Sequence, residues 1–321
     1  MTILEDTSGT EVLRQLAAER RSGGVASGLA LTLIASFDLE HKAAVEEAVT
    51  HAAAAHPTRL LLVSRAREAS RYPDRLDAEI MVGGRLGGCE AVIMRMQGRL
   101  ALHADSIVLP LLAPDVPVVT WWHGPPPERI ATDPLGVAAD RRITDCAQAD
   151  DPVAALRQRA DDYVSGDTDL AWTRLTGWRT LLAAALDGPD SGRPVAGAAV
   201  TGPRSDASAT LLAGWLQARL GVAPRRLDSP SLEAVALELS GEETFTMTRA
   251  EGCVVLSRTG QQDRVVPLLT PTLGELLSEE LRRLHADASY ADALSAATGV
   301  TGLEQRPTRR VHLWLDPEEV R

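Results

Sequence analysis

With 321 residues, 45% of them hydrophobic and 24% charged, the chain is long enough for a sizeable core and two domains. Thirty-three Lys and Arg against 44 Asp and Glu leave a formal charge of −11, which denies the chain the sequence-independent attraction that starts most nucleic-acid binding. No apolar run approaches bilayer-spanning length, and Met1-Thr-Ile-Leu-Glu-Asp-Thr7 lacks the basic-then-apolar order of a secretion signal, so the expectation is a cytoplasmic protein off the membrane.

In chain order, Ser8-Gly-Thr-Glu11 has capping-box spacing and predicts a short helix with Val12, Leu13 and Leu16 on one side. Leu29 to Ser36 reads as a buried strand. Asp38 then caps a helix striped by Val45, Ala48, Val49 and Ala52, closed at His56-Pro57. Arg59 to Ser64 is the next strand, and strand–helix–strand with short connections predicts a right-handed parallel crossover. Arg75 to Val82 alternates, with Leu76, Ala78, Ile80 and Val82 inward. Gly83-Gly-Arg-Leu-Gly-Gly88 has neither dinucleotide nor Walker spacing and reads as a hairpin turn into a strand over Ala91 to Met96.

A short helix follows, with Ala104, Ile107 and Val108 at helical spacing, until Pro110, Pro114 and Pro117 deny backbone donors. Val118 to Trp122 is β-branched or aromatic and predicts one strand whose two tryptophans point to opposite faces. A strand packed on both faces would bury both; the sharper alternative carries Trp122 out to an exposed site before the turn-rich His123-Gly-Pro-Pro-Pro-Glu128. Arg141, Arg142 and Asp145 lie on a short charged strand, read either as solvated surface or as a patch for an acidic partner or phosphate.

Two helices are expected over Asp151 to Val164 and Asp169 to Leu186. The turn formers of Asp187 to Pro194 mark a domain boundary, dividing the chain into 1–187 and 194–321. Val195 to Val200 is a strand and Ala207 to Leu220 a helix. Between them Thr201, Gly202, Arg204, Ser205 and Ser208 form a candidate anion site at a helix N-terminus, against the competing reading that Asp206 simply caps the helix. Strands over 232–239, 244–249, 252–258 and 264–268 suggest an antiparallel meander. A capping box at Thr272 opens a helix carrying Leu273, Leu276, Leu277, Leu281 and Leu284; a helix near 288–297 and a strand near 311–315 end the chain. The fold class is α/β in two domains: an N-terminal mixed sheet with helices, and a C-terminal α/β domain with the meander.

Several of these segments, taken together, resemble one family. His103-Ala-Asp-Ser-Ile-Val-Leu-Pro-Leu-Leu112, Asp115-Val-Pro-Val-Val-Thr-Trp-Trp122 and Asp140-Arg-Arg-Ile-Thr-Asp145 look like the glucose-6-phosphate dehydrogenase assembly protein family (OpcA). The likeness continues through Asp169-Leu-Ala-Trp-Thr-Arg-Leu-Thr-Gly-Trp-Arg179 to Glu279-Glu-Leu-Arg-Arg-Leu284, nearly the whole chain. The resemblance implies a cytoplasmic accessory protein, not an enzyme, that binds and activates glucose-6-phosphate dehydrogenase. Some branches of that family have thioredoxin-linked regulation. Here Cys89, Cys146 and Cys253 are scattered, with no dithiol or metal-ligand spacing, and read as reduced structural thiols.

Six tryptophans against three tyrosines and two phenylalanines modestly favour an interaction role, since Trp buries a large rigid surface at contact hot spots. Trp121, Trp122, His123, Arg141, Arg142 and Asp145 are therefore the candidate partner-binding residues. No Gly-x-Ser-x-Gly nucleophile motif, dinucleotide fingerprint or metal-binding histidine pair occurs, so neither a cofactor nor a metal is expected. His103, Asp105 and Ser106 have triad chemistry, but residues two apart on a helix do not face each other. The alternative function is a sugar-phosphate- or nucleotide-binding protein, at 201–208 or beside Trp122.

Overall fold

The computed structural model describes residues 1–23, 28–55, 57–65, 73–83, 88–187, 194–240 and 243–306. The chain divides into two compact units, one built from Met1–Thr144 with Leu273–Ala286, the other from Asp145–Thr272 with Asp287–Pro307.

The first unit contains β1 (Thr2–Leu4), α1 (Gly9–Gly23), β2 (Leu31–Phe37), α2 (Lys42–Ala53), β3 (Thr58–Arg65), β4 (Arg75–Val82), β5 (Glu90–Gln97), α3 (Ala104–Val108), β6 (Val118–Trp122), α4 (Pro134–Val137) and β7 (Arg141–Thr144). Its strands lie in the order β1-β4-β5-β3-β2-β6-β7. β5, β3, β2, β6 and β7 are mutually parallel, while β4 and β1 add antiparallel at one edge. The sheet is therefore mixed, as the alternation of β4 against the continuous apolar run of β2 suggests. All seven residues of β2 and all five of β6 are buried, the pattern of parallel strands covered on both faces. On one face Ile34, Leu61, Val63, Val92, Met94 and Trp122 pack with Val12 and Leu16 of α1 and Ile107 and Val108 of α3.

Taken in chain order, the parallel strands run β2, then β3 and β5 outward on one side, then β6 and β7 on the other. The chain thus reverses direction between β2 and β6. In an open α/β sheet that reversal splays the connections apart and leaves a crevice beyond the carboxyl ends of the two strands.

The second unit holds α5 (Pro152–Asp162), β8 (Asp167–Asp169), α6 (Leu170–Thr173), α7 (Thr176–Leu186), β9 (Val195–Thr201), α8 (Ala207–Leu220), β10 (Arg225–Leu227), β11 (Ala234–Leu239), β12 (Glu243–Ala250), β13 (Cys253–Arg258) and β14 (Arg264–Pro267). The chain then returns to the first unit with α9 (Leu273–Arg282) and finishes its described part in the second with α10 (Ala288–Thr298). β10 pairs parallel with β9 through the α8 crossover; β11, β12, β13 and β14 form the expected antiparallel series, and β9 joins it antiparallel to β11. Trp172, Trp178, Leu211, Leu216, Val235, Met247 and Tyr290 share its core.

Three expectations meet a different arrangement. The loop at 188–193 lies outside the described residues, and α7 before it and β9 after it belong to the same unit, because Trp178 and Leu182 pack into the core that holds Val200 and Val235. The single helix expected over Asp169 to Leu186 is two, broken at Arg174–Leu175, where Arg174 is held by a paired contact to Asp145 at 2.7 Å on each nitrogen. Asp38 makes no side-chain cap; a 3-10 turn over Leu39–His41 intervenes before α2. Residues 84–87 of the turn expected over 83–88, and the strand expected near 311–315, lie outside the described residues.

Candidate functional site

The crevice at the strand reversal is a cavity of about 210 Å³. Ser36 and Asp38 come from the end of β2, Arg65 from the last position of β3, and Trp122, His123 and Pro125 from the end of β6 and its loop. Parallel register brings these ends together: Ser36 pairs with Trp122, and the His123 N–H donates to the Ser36 carbonyl at 2.9 Å. Gly124 then takes φ +91°, a left-handed turn that residues with a Cβ rarely adopt, and leads the chain into the three prolines.

Arg65 is the cation of the crevice. Its Nη1 lies 3.4 Å from Asp133 Oδ2 and its Nη2 donates to Ser36 Oγ at 3.4 Å, both long contacts. Asp133 has a separate structural task, accepting from the Leu135 N–H at 3.0 Å to cap α4. The His123 ring stands perpendicular to that of His41 at 5.1 Å and tilted against Trp121 at 5.3 Å. A guanidinium, a hydroxyl and a carboxylate around a small cavity can bind an oxyanion that also carries hydroxyl groups. None of the cleft residues named above is a nucleophile–base pair within hydrogen-bond distance.

The exposed Trp122 of the sharper reading is not what the structure shows. Trp121 and Trp122 are 0% and 2% exposed, on opposite faces of a strand covered on both sides, and both indole N–H groups are buried without an acceptor among the described residues. Trp122 fits over Gly136 of α4, where an added Cβ would sit 1.7 Å from the Ile130 carbonyl oxygen. Arg141 and Arg142 are buried as well. Arg141 pairs with Glu280 of α9, donating from Nε at 3.1 Å and again from Nη2, and gives Nη1 to the His285 carbonyl at 2.8 Å. Arg142 donates to the Ala139 carbonyl at 2.9 Å. Asp145, 3% exposed, holds Arg174 in the second unit. Of the six candidates, His123 alone keeps partial exposure. The physical reason is that all four residues of β7 are buried and the charges on and just after it are paired within the fold.

The candidate anion turn is occupied by its own chain. Asp206 caps α8 by accepting from the Ala209 N–H, Gly202 N–H donates to the Leu227 carbonyl, and Ser208 Oγ donates to the Ala171 carbonyl. Arg204 is exposed and reaches the Arg226 carbonyl at 3.3 Å, while Thr201 ends β9 and Ser205 is exposed. The capping carboxylate sits where an anion would have to go, which favours the capping reading.

Comparison with known proteins covers both units. Residues 49–161 match the model of the glucose-6-phosphate dehydrogenase subunit N-terminal domain, and residues 165–294 that of its C-terminal domain. The chain belongs to this family, the OpcA family. It is also 26% identical to a putative OxPP cycle protein OpcA of Synechococcus elongatus, the match taking in 64% of this chain. The chain spans about 58% of the length of that curated relative. The two OpcA family domains meet near residue 161–165, whereas the compact units part at 144–145 and α9 rejoins the first, so the family division and the packing division differ. Sequence reasoning missed Ser36 and Arg65. Their only signal was position: Ser36 is the next-to-last residue of β2 and Arg65 the last of β3, strands that the topology sets at and beside the reversal point.

Among the described residues no helix is long and apolar enough to cross a membrane, and no cluster of His, Cys, Asp or Glu could hold a metal.

Proposed function

We propose that this OpcA family member is a cytoplasmic, non-catalytic accessory protein of the oxidative pentose phosphate cycle that binds, assembles or allosterically activates glucose-6-phosphate dehydrogenase. The observation that carries the reading is that family domains described as dehydrogenase subunit domains match both halves of the chain. Activation then demands differential binding: the protein must prefer the more active form of the enzyme, since equal affinity for both forms shifts nothing. A tenfold preference is about 1.4 kcal/mol, within reach of a few good contacts.

For the contact itself we assign the loop at residues 123–129. His123, Pro125, Glu128 and Arg129 are at least partly exposed, and the prolines stiffen the chain, so docking would cost little conformational entropy. Trp121, Trp122, Arg141 and Arg142 would act beneath it, holding the strand ends that launch the loop, and Asp145 by fixing Arg174 in its own unit.

The test is co-purification with the dehydrogenase, followed by the enzyme's substrate saturation curve with and without this protein. Complex formation with a lowered KM or raised kcat is expected, and the protein freed of dehydrogenase should not reduce NADP with glucose 6-phosphate. No complex at micromolar concentrations and an unchanged saturation curve would refute the reading.

A further inference from the structure

We propose that the crevice between the ends of β2 and β6 is a binding site for a compact hydroxylated anion, a phosphate monoester or a carboxylate of a small polyol. The inference goes beyond the dehydrogenase partnership and does not rest on it.

Three observations converge. The first is topological: the cavity lies at the point where the parallel strand order reverses, the place where open α/β sheets take ligands. The second is chemical. Arg65 brings a guanidinium to the cavity wall, and its hydrogen bonds among the described residues are two long ones, to Asp133 and Ser36 at 3.4 Å each. A guanidinium offers five donors, so most remain available for a bidentate grip on an oxyanion at the shorter distances of charge-assisted bonds. Arg65 is also only about one-fifth exposed, so water screens such a grip less than at an open surface.

The third observation is the set of polar groups around the cation. Ser36 Oγ can donate to the same oxyanion, and the Asp38 carboxylate can accept from ligand hydroxyls. Asp38 and Asp133 also discourage a ligand of high negative charge, which selects for one anionic group on a neutral hydroxylated body. Size points the same way. At about 210 Å³ the cavity is smaller than the roughly 300–1,000 Å³ of sites for larger organic ligands, which favours a sugar-sized molecule over a dinucleotide. The glycine-rich strand–helix turn that cradles a pyrophosphate is missing after β2, where Asp38 leads into a 3-10 turn.

The experiment uses the full chain alone, without dehydrogenase, so its failure is separable from failure of the partnership. Calorimetric titrations are run with a hexose 6-phosphate, an aldonate, inorganic phosphate and the neutral hexose. In parallel the indole N–H resonance of Trp122 is followed by nuclear magnetic resonance. Saturable binding of the phosphorylated sugar or the aldonate is expected, with a shift at Trp122 and no binding of the neutral hexose. Which of the two anions binds more tightly distinguishes phosphate from carboxylate recognition. Arg65→Met should weaken it by about ten- to a hundredfold, the value of a charge-assisted pair, and Ser36→Ala by less. The melting temperature of each variant is measured, and Ser36→Ala serves as the reading if Arg65→Met does not fold. Four results overturn the site: no heat from either hydroxylated anion up to about 10 mM, where a Kd near 1 mM would be visible; binding of the neutral hexose as tight as that of the anions; inorganic phosphate binding as tightly as the hydroxylated anions; or affinity unchanged in both variants.

Discussion

Breaking the Arg141–Glu280 pair should unfold the first unit's junction with α9 and leave the surface untouched. Arg141 is 1% exposed and the Glu280 side chain 6%, so neither charge is solvated. Arg141→Ala removes the guanidinium that faces the Glu280 carboxylate and also takes the donor from the His285 carbonyl. Removing one partner of a buried pair costs about 3–5 kcal/mol. For a protein this large each kcal/mol lowers the melting temperature by roughly 2–4 °C, so a fall of roughly 6–20 °C is expected. The control is Arg141→Met with Glu280→Leu: removing both charges and restoring apolar volume should recover most of that loss, because a well-packed apolar substitute commonly equals or exceeds a buried ion pair. Thermal and urea unfolding of Arg141→Met, Glu280→Leu and the double variant make the cycle, measured with Arg141→Ala and alongside dehydrogenase affinity per folded molecule. Single variants within about 1 kcal/mol of the parent would refute the reasoning. So would lost affinity with an unaltered melt, which would return Arg141 to the contact surface.

In the second unit, Gly214 lets α8 and α10 approach: a Cβ there would meet the Ala293 carbonyl oxygen at 2.3 Å, so Gly214→Val should cost about 1–3 kcal/mol or more, read by urea unfolding. Burial, with Asp169 nearby, pushes the Cys146 thiol well up, and Cys89 is buried, so activation of the partner should not change with dithiothreitol, and replacing all three cysteines by Ser should leave that insensitivity intact. Burial pulls the Asp77 carboxyl upward, but the Asp6 N–H and the Arg75 guanidinium outweigh it and hold the group below its ordinary value. Its stabilisation is therefore present above about pH 3.9 and lost as the pH falls through the lower folded value; Asp77→Asn should be less stable than the parent at pH 7, with the gap closing below about pH 4 in denaturant titrations.

Local chemistry in the sequence determined most of the elements. Period-two alternation marked β4, the β-branched and aromatic run marked β6 to the residue, and Asp206 capped the start of α8. Proline placement likewise stopped the helix after Val108. These signals act over a few residues and survive in any tertiary setting. Tertiary structure alone decided which charges are interior. Arg141, Arg142 and Asp145 read as surface because a charged run usually is, yet each finds its partner far along the chain or on backbone carbonyls, and no local pattern records a pairing with Glu280 across 139 residues. The same holds for the crevice. Ser36, Arg65 and His123 are far apart in sequence and become neighbours only because β3, β2 and β6 lie side by side, an order set by how the whole sheet closes around its core. Even the fate of the two tryptophans turned on this, since a strand's own sequence tells which faces its side chains take but not whether both faces are covered.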